Sequence, residues 1–374
     1  MSPPEPMPSA ASPIRDLEDL RAYLVVAMQI EHATIPPYLT ALYSIHPGSN
    51  SEAVEVIRSV AVEEMLHLTL VANVLNAIGG SLRHTLTAPD FIPRYPAYLP
   101  TGETEFQVGL RPFSPATIDT FLQIERLQVE AEDVPLLLPR SRRCLSALPG
   151  AGEGQLSFYS IGLFYSEIIR RLYALCRELG EERVFCGDPA RQITPEHYYS
   201  GAGSLIVVHD FRSANRALRL IQEQGEGALG QRIHAGDASG IHALAHYYRF
   251  QQLRLGRYYR TLQLGVEEPD LPDQPSGPAF DQQALDWQAV YPIQEDLRLE
   301  DLPAGSAVRQ QAIAFQQQYA AFLAELERAF DGEPGQLGLA VAGMFRLRDL
   351  AEQLVRTPIP GREHRHAAPL FWLE

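Results

Sequence analysis

Acidic side chains lie inside long apolar segments of this chain, and this pattern limits its fold more than any other feature. Apolar residues recur at helical spacing over about 14–45, and Glu31 lies among Met28, Ile30 and Ile35. An ionised carboxylate in such surroundings needs a partner that compensates its charge. The chain must therefore pack several long helices together and also neutralise the acids that they carry.

The apolar pattern predicts four long helices, several accessory helices and little strand. Pro36 and Pro37 are expected to kink the first helix or to mark a local irregularity in it. A loop after residue 225 is expected to split the fourth long helix into two parts. Each predicted helix has apolar residues at helical spacing. The predicted ranges are about 14–45, 51–78, 114–130, 155–179, 210–225, 239–264, 306–330 and 335–356. We expect a disordered leader at 1–13, a bundle at 14–264, and a C-terminal loop, two helices and an extended tail at 265–374, packed on the bundle.

Charge and composition exclude several functions. The formal net charge is −15, and all 31 basic residues are arginines. An acidic chain lacks the basic stripe that nucleic acid and anionic membranes require, so neither is expected as a partner. Without lysine, Schiff-base chemistry is excluded. Three cysteines without CxxC spacing predict neither a cysteine zinc site nor a disulfide framework, and we expect a cytoplasmic protein.

The most specific motif is Glu64-Met-Leu-His67. A Glu and a His three residues apart lie on one face of a helix, and the apolar flanks indicate that this helix is buried. Carboxylate oxygens and imidazole nitrogens together are ligands of transition metals. Glu63 is expected to face outward or to support such a site from behind.

Two further acids are candidates on other helices. Glu31 is predicted to be a metal ligand, with an ion pair to Arg58 as the alternative. Glu167, in GLFYSEI, is predicted to be a ligand as well, and its alternative is a pair with Arg170 or Arg171 on its own helix. His32 projects about 100° away from Glu31 and is not expected to be a ligand.

The fourth long helix offers two pairs of alternatives. Glu226 is preferred over Glu223 as the carboxylate, because glycines flank it and indicate a backbone shaped around it. His246 is preferred over His242 as the imidazole, because its neighbours are apolar and aromatic.

These motifs resemble those of a known family. The segments EHATIPPYLTALYSI, VEEMLHL with NAIGG, GLFYSEI, EQGEG, HYYRF, TPIPG and AAPLF are similar to ferritin-like proteins related to iminophenyl-pyruvate dimer synthase, which include ferritin-like regions of violacein and rebeccamycin pathway enzymes. The resemblance implies an all-α, ferritin-like four-helix bundle with additional helices and long ordered loops. It also implies metal ligation by Glu31, Glu64, His67, Glu167, Glu226 and His246.

The function implied is oxidative. Two metal ions, iron or manganese, are expected to act with dioxygen on a small molecule, which the resemblance suggests derives from an aromatic amino acid. Tyr38, Tyr43, Phe164 and Tyr165 either line a pocket above the metals or pack in the core. The alternative function is metal binding or storage without a substrate. The sequence leaves the formation of a homodimer open.

Overall fold

The architecture is a helical bundle with a pair of C-terminal helices. The computed structural model describes residues 12–100, 106–126, 138–139, 156–157, 161–199, 203–225, 244–259, 279–280 and 285–373. The helices are α1 (Leu17–Ser44), α2 (Ser51–Ala77), α3 (Pro115–Ile124), α4 (Ile161–Leu179), α5 (Glu181–Val184), α6 (Phe211–Gly225), α7 (His246–Leu255), α8 (Ala307–Phe330) and α9 (Leu337–Arg356). Two short antiparallel pairs join β1 (Leu138–Pro139) to β2 (Leu156–Ser157) and β3 (Pro358–Ile359) to β4 (Arg362–His366).

Helix α1 continues through its two prolines. Proline at position 37 has no N–H for the carbonyl of Ala33, four residues earlier, so that carbonyl needs another donor. The hydroxyl of Tyr95 donates to it at 2.7 Å. The hydroxyl of Thr40 donates to the carbonyl of Pro36 at 2.8 Å. Both of these carbonyls lie between Glu31 and Tyr38, so the two bonds support the part of α1 that positions these buried side chains.

The bundle consists of α1, α2, α4 and a fourth element made of α6 and α7. A short turn joins α1 to α2, and these two helices share the most extensive interface of the bundle. In the fourth element, α6 is described as far as Gly225, and α7 begins at His246 after the non-helical Ala245. The loop predicted after residue 225 lies outside the described residues. Helix α3 packs against α7 and ends at Ile124, earlier than the predicted end at about 130.

The C-terminal helices pack against the outer side of the α1–α2 pair. Phe315 of α8 and Leu354 of α9 belong to the same buried cluster as the bundle residues. The predicted extended tail forms β3 and β4, after which Phe371 is buried in that cluster. Among the described helices, none has the combination of length and apolarity needed to cross a bilayer.

Candidate metal centre

Two groups of buried carboxylates and imidazoles lie at the middle of the bundle. The first group is Glu31, Glu64 and His67, and the second is Glu64, Glu125 and His246. Within each group the candidate ligand atoms lie within 4.8 Å of one another. Glu64 belongs to both groups, so five side chains form one continuous centre.

The first group depends on helical periodicity. Glu64 and His67 are three residues apart on α2 and project from the same face. Glu31 faces them from α1. The Nδ1 atom of His67 lies 3.2 Å from Oε2 of Glu31 and 3.5 Å from Oε2 of Glu64. One ion could therefore contact both carboxylates and this ring nitrogen.

The second group is built at the ends of two shorter helices. Glu125 directly follows α3, and His246 is the first residue of α7. The Nδ1 atom of His246 lies 3.1 Å from Oε1 of Glu64 and 3.5 Å from Oε1 of Glu125. This nitrogen is buried, yet it makes no hydrogen bond with any described residue. A buried polar atom that faces two carboxylates without a hydrogen bond is well suited to bind a cation, so these residues fit a metal.

The outer nitrogens of both histidines are held by oxygen acceptors. The Nε2 atom of His67 lies 2.9 Å from Oε1 of Gln224 on α6. The Nε2 atom of His246 lies 2.8 Å from Oε2 of Glu63. When Nε2–H donates to these oxygens, the lone pair of Nδ1 points into the centre. Both rings therefore present the same nitrogen to the metal position.

Glu63 is itself buried and held by an arginine. The Nη2 atom of Arg249 donates to Oε2 of Glu63 at 2.6 Å, and its other groups donate to Ser59 and to the carbonyl of Leu244. The arginine compensates the charge of Glu63, which burial alone would make very unfavourable. Of the two alternatives for Glu63, the structure shows the supporting role and not the outward orientation.

Two tyrosines donate to the outer carboxylates. The hydroxyl of Tyr165 on α4 donates to Oε1 of Glu31, and the hydroxyl of Tyr38 on α1 donates to Oε1 of Glu125. Burial raises the pKa of both phenols well above the usual value, so both keep their protons at neutral pH. These two aromatic residues thus touch the ligands and do more than fill the core.

Protons and carboxylate charges are tightly balanced in this centre. Burial raises the pKa of Glu31 to about 7. Burial has the same tendency at Glu64, but the nearby imidazoles of His246 and His67 outweigh it and hold the pKa of Glu64 below its usual range. Burial disfavours the charged form of His67, but its bonds to Glu31 and Glu64 raise its pKa to about 10. Bound cations would compensate the same carboxylates that these imidazole protons compensate.

The cavity beside the first group is small. It is lined by Glu31, Glu64, His67, Glu125 and Tyr165 together with residues of α6, and its volume is about 20 Å³. A water molecule needs roughly 10–15 Å³ of such space. As bounded by the described residues, this cavity therefore has room for about one water molecule.

The structure brings together four of the six residues predicted as ligands: Glu31, Glu64, His67 and His246. Glu167 belongs to neither group among the described residues. Its carboxylate accepts hydrogen bonds from Ser12 and from Arg170 at 2.5–2.8 Å, because the arginine lies three residues away on the same helix. The structure thus places Glu167 in the alternative arrangement named above.

The alternatives on the fourth element remain partly open. Glu226 and His242 lie outside the described residues. Glu223 lies on α6 but belongs to neither of the two groups found among the described residues. Gln224, its neighbour, is the residue of α6 that reaches His67.

Glu125 was not predicted, although it completes the second group. A signal exists in the sequence: Ile118, Phe121 and Glu125 are spaced at three and four residues, so the acid continues the apolar face of α3. The predicted helix at about 114–130 contains Glu125, but no histidine lies near this acid in the sequence to indicate a ligand. Gln224 has no such signal, because a glutamine within a polar helix is ordinary.

Comparisons with known proteins support the ferritin-like fold. A family described as ferritin-like matches residues 24–255. The crystal structure of a ferritin-like protein from Caulobacter vibrioides is similar to this chain with a TM-score of 0.58 and 22% sequence identity, covering 96% of this chain and 99% of the other. At this identity the similarity concerns the fold alone. No match is found among curated proteins.

Proposed function

Because the chain belongs to the ferritin-like family, we propose that it is a two-metal carboxylate oxidoreductase whose ions are iron. The position of Glu64 is the observation that supports this best. Its Oε2 atom lies 3.5 Å from Nδ1 of His67, and its Oε1 atom lies 3.1 Å from Nδ1 of His246. A carboxylate with one oxygen toward each histidine is arranged to bridge two ions.

The other ligands are assigned from the same geometry. Glu31 and His67 would hold one ion, and Glu125 and His246 would hold the other. Three carboxylates and two imidazoles form a mixed set of oxygen and nitrogen ligands that suits iron, as in the carboxylate-bridged centres of helical bundles.

Two irons bound here would supply the electrons that reduce dioxygen. The residues around them have separate tasks. Tyr165 and Tyr38 orient the outer carboxylates through their hydroxyl groups. Gln224 and Glu63 fix the histidine rings. The surrounding apolar core excludes bulk water from the centre, which strengthens every electrostatic contact within it.

The substrate is proposed from the sequence resemblance. The segments EHATIPPYLTALYSI and VEEMLHL carry Glu31, Glu64 and His67 and resemble those of proteins related to iminophenyl-pyruvate dimer synthase. We therefore propose a small molecule derived from an aromatic amino acid, which is oxidised or oxidatively coupled with dioxygen as the electron acceptor.

Metal analysis of the purified chain tests the proposal. The expected content is about two irons per chain after loading under reducing conditions. Glu64→Ala is expected to lose both ions, because this residue serves both groups. Glu167→Ala is the matched control: it also removes a poorly exposed carboxylate from a bundle helix, but one paired with Arg170, so it is expected to retain both ions. Loss of metal in both variants alike would contradict the ligand assignment.

Oxygen consumption separates the enzyme from a storage protein. The oxidoreductase is expected to consume dioxygen steadily only when substrate and reductant are both present. Storage would instead show many irons per chain and uptake of oxygen that depends on added iron alone. Either of these results with the wild-type chain would replace the proposed function.

A further inference from the structure

A second cavity lies on the opposite face of the α1–α2 pair from the metal centre. Its volume is about 560 Å³, within the range of roughly 300–1,000 Å³ that is typical of small-molecule sites. Neighbouring residues on a helix project about 100° apart, so residues that are adjacent in sequence line different cavities. The cavity is lined by His32, Met65 and Leu68, and the centre by their neighbours Glu31, Glu64 and His67.

The cavity is long and runs parallel to the helices. Its lining on α2 extends from Glu55 to Thr69, which is about 21 Å at 1.5 Å per residue. On α9 the lining extends from Leu337 to Arg348, and α8 closes the side between them. The shape therefore suits an extended molecule more than a compact one.

Its walls are mainly apolar. Leu39, Val62, Met65, Phe322 and Met344 line its length. Two methionines on facing helices give the walls an adaptable surface, since an unbranched thioether adjusts to the shape of its neighbours. The body of an occupant must therefore be apolar.

Charged groups are concentrated at one end of the cavity. Tyr43 near the end of α1, Arg58 near the start of α2 and Arg348 on α9 all line the cavity, and the short turn from α1 to α2 puts the first two at the same end. Arg348 is already engaged with Asp349 and Glu352. Arg58 is exposed and forms no ion pair with any described residue, although Glu55 lines the same end. Arg58 is thus the cation left for a ligand.

The deeper wall carries a polar group. His32 is buried there and lines the cavity. Its Nε2 atom lies 2.8 Å from the hydroxyl of Tyr319. A charged group has no counterion on this part of the wall, so the charged end of an occupant belongs at the mouth.

We infer that this cavity binds an amphipathic monocarboxylate, with its extended apolar chain along α2 and its carboxylate beside Arg58. Shape, apolar walls and a lining arginine that forms no ion pair with a described residue together define this class of ligand. The inference does not depend on the metals, because no described residue lines both cavities.

Displacement of a fluorescent probe from the full chain tests the inference. N-phenyl-1-naphthylamine is expected to bind with saturation at about one molecule per chain, and dodecanoate is expected to displace it. Val341→Trp fills the lining from α9 and is expected to weaken binding of both about tenfold or more. Leu339→Trp is the matched control, because Leu339 lies on the same helix, is exposed and does not line the cavity. If Val341→Trp fails to fold, Met344→Trp replaces it.

The charged end is tested with a pair of ligands that differ only in their end group. Arg58→Gln is expected to lower the affinity for dodecanoate about threefold to fivefold, which is the range of an exposed ion pair. The affinity for dodecanol should stay within about twofold of the wild-type value. Arg94→Gln removes an exposed arginine elsewhere and should change neither ligand.

Three results would overturn the inference. The first is equal binding by the Val341→Trp and Leu339→Trp variants. The second is an equal loss of affinity for dodecanoate and dodecanol in Arg58→Gln. The third is a dimer in light scattering that Val341→Trp dissociates while wild type binds no dodecanoate, which would assign this face of α9 to a second copy of the chain.

Discussion

The two halves of the metal centre are alike inside and different outside. In each half a histidine presents Nδ1 to the shared Glu64, and a tyrosine donates to the outer carboxylate. Behind the rings, however, His67 contacts the neutral amide of Gln224, and His246 contacts the carboxylate of Glu63. A carboxylate makes the imidazole a stronger base than an amide does. The half that contains His246 is therefore expected to bind its ion more tightly.

The halves also differ in what holds them. Glu31, Glu64 and His67 project from the middle of the two longest bundle helices, α1 and α2. Glu125 and His246 lie at helix ends, where periodicity no longer fixes a side chain. The buried pair of Glu63 and Arg249 compensates for this, because it anchors α7 to α2 behind the ligand. Charge thus replaces regular secondary structure as the source of rigidity in that half.

Breaking this anchor is expected to have the largest effect. Arg249→Met leaves the charge of Glu63 buried without its cation, which should cost about 3–5 kcal/mol in the free energy of unfolding. Urea denaturation measures the loss. The double variant Glu63→Gln with Arg249→Met should recover most of this loss, because neither residue of the pair is then charged.

The control for that variant is Arg254→Met, which removes an exposed arginine paired with Asp119 on the neighbouring helix. It is expected to change the free energy of unfolding by less than about 1 kcal/mol. Similar destabilisation by Arg249→Met and Arg254→Met would show that the buried pair is not the anchor.

Making the two halves equal is the next test. Glu63→Gln gives His246 an amide acceptor like that of His67. It should lower the affinity for the ion in the half of His246 about 10-fold to 100-fold. Calorimetric titration with ferrous iron under anaerobic conditions should then show two similar affinities in place of two different ones. Glu125→Gln identifies which affinity belongs to the half of His246. Unchanged, well-separated affinities in Glu63→Gln would contradict the comparison.

The reverse substitution sharpens the same point. Gln224→Glu places a carboxylate behind His67. It is expected to raise the affinity for the ion of that half about tenfold, because a carboxylate is a more basic partner than an amide. The affinity of the half with His246 should stay within about twofold. Neighbouring Glu223→Gln is the control on α6, since Glu223 is outside both described ligand groups. If Gln224→Glu lowers the affinity for this ion, the contact between Gln224 and His67 matters because the amide is neutral and not because it orients the ring.

The same contrast explains what the sequence could predict. The helical positions of Glu31, Glu64 and His67 follow from apolar periodicity, and the family match supports the predicted ferritin-like bundle. Glu125 was missed because it lies on a short accessory helix without a neighbouring histidine that would indicate a ligand. Glu167 was predicted because an acid in GLFYSEI looks buried, yet Arg170 on the same helix pairs with it. Sequence patterns report the face of a helix, but they do not report which of two partners an acid meets there.

The smallest expected effect comes from the tyrosines that support the outer carboxylates. Tyr165→Phe removes one hydrogen bond to Glu31, and Tyr38→Phe removes one to Glu125. Each change should cost about 1 kcal/mol, or roughly fivefold in affinity, at the ion of its own half only. Anaerobic titration of each variant, with Glu31→Gln and Glu125→Gln as references, assigns the loss. If either tyrosine variant weakens both ions equally, the halves are coupled through Glu64 too strongly to be treated as separate sites.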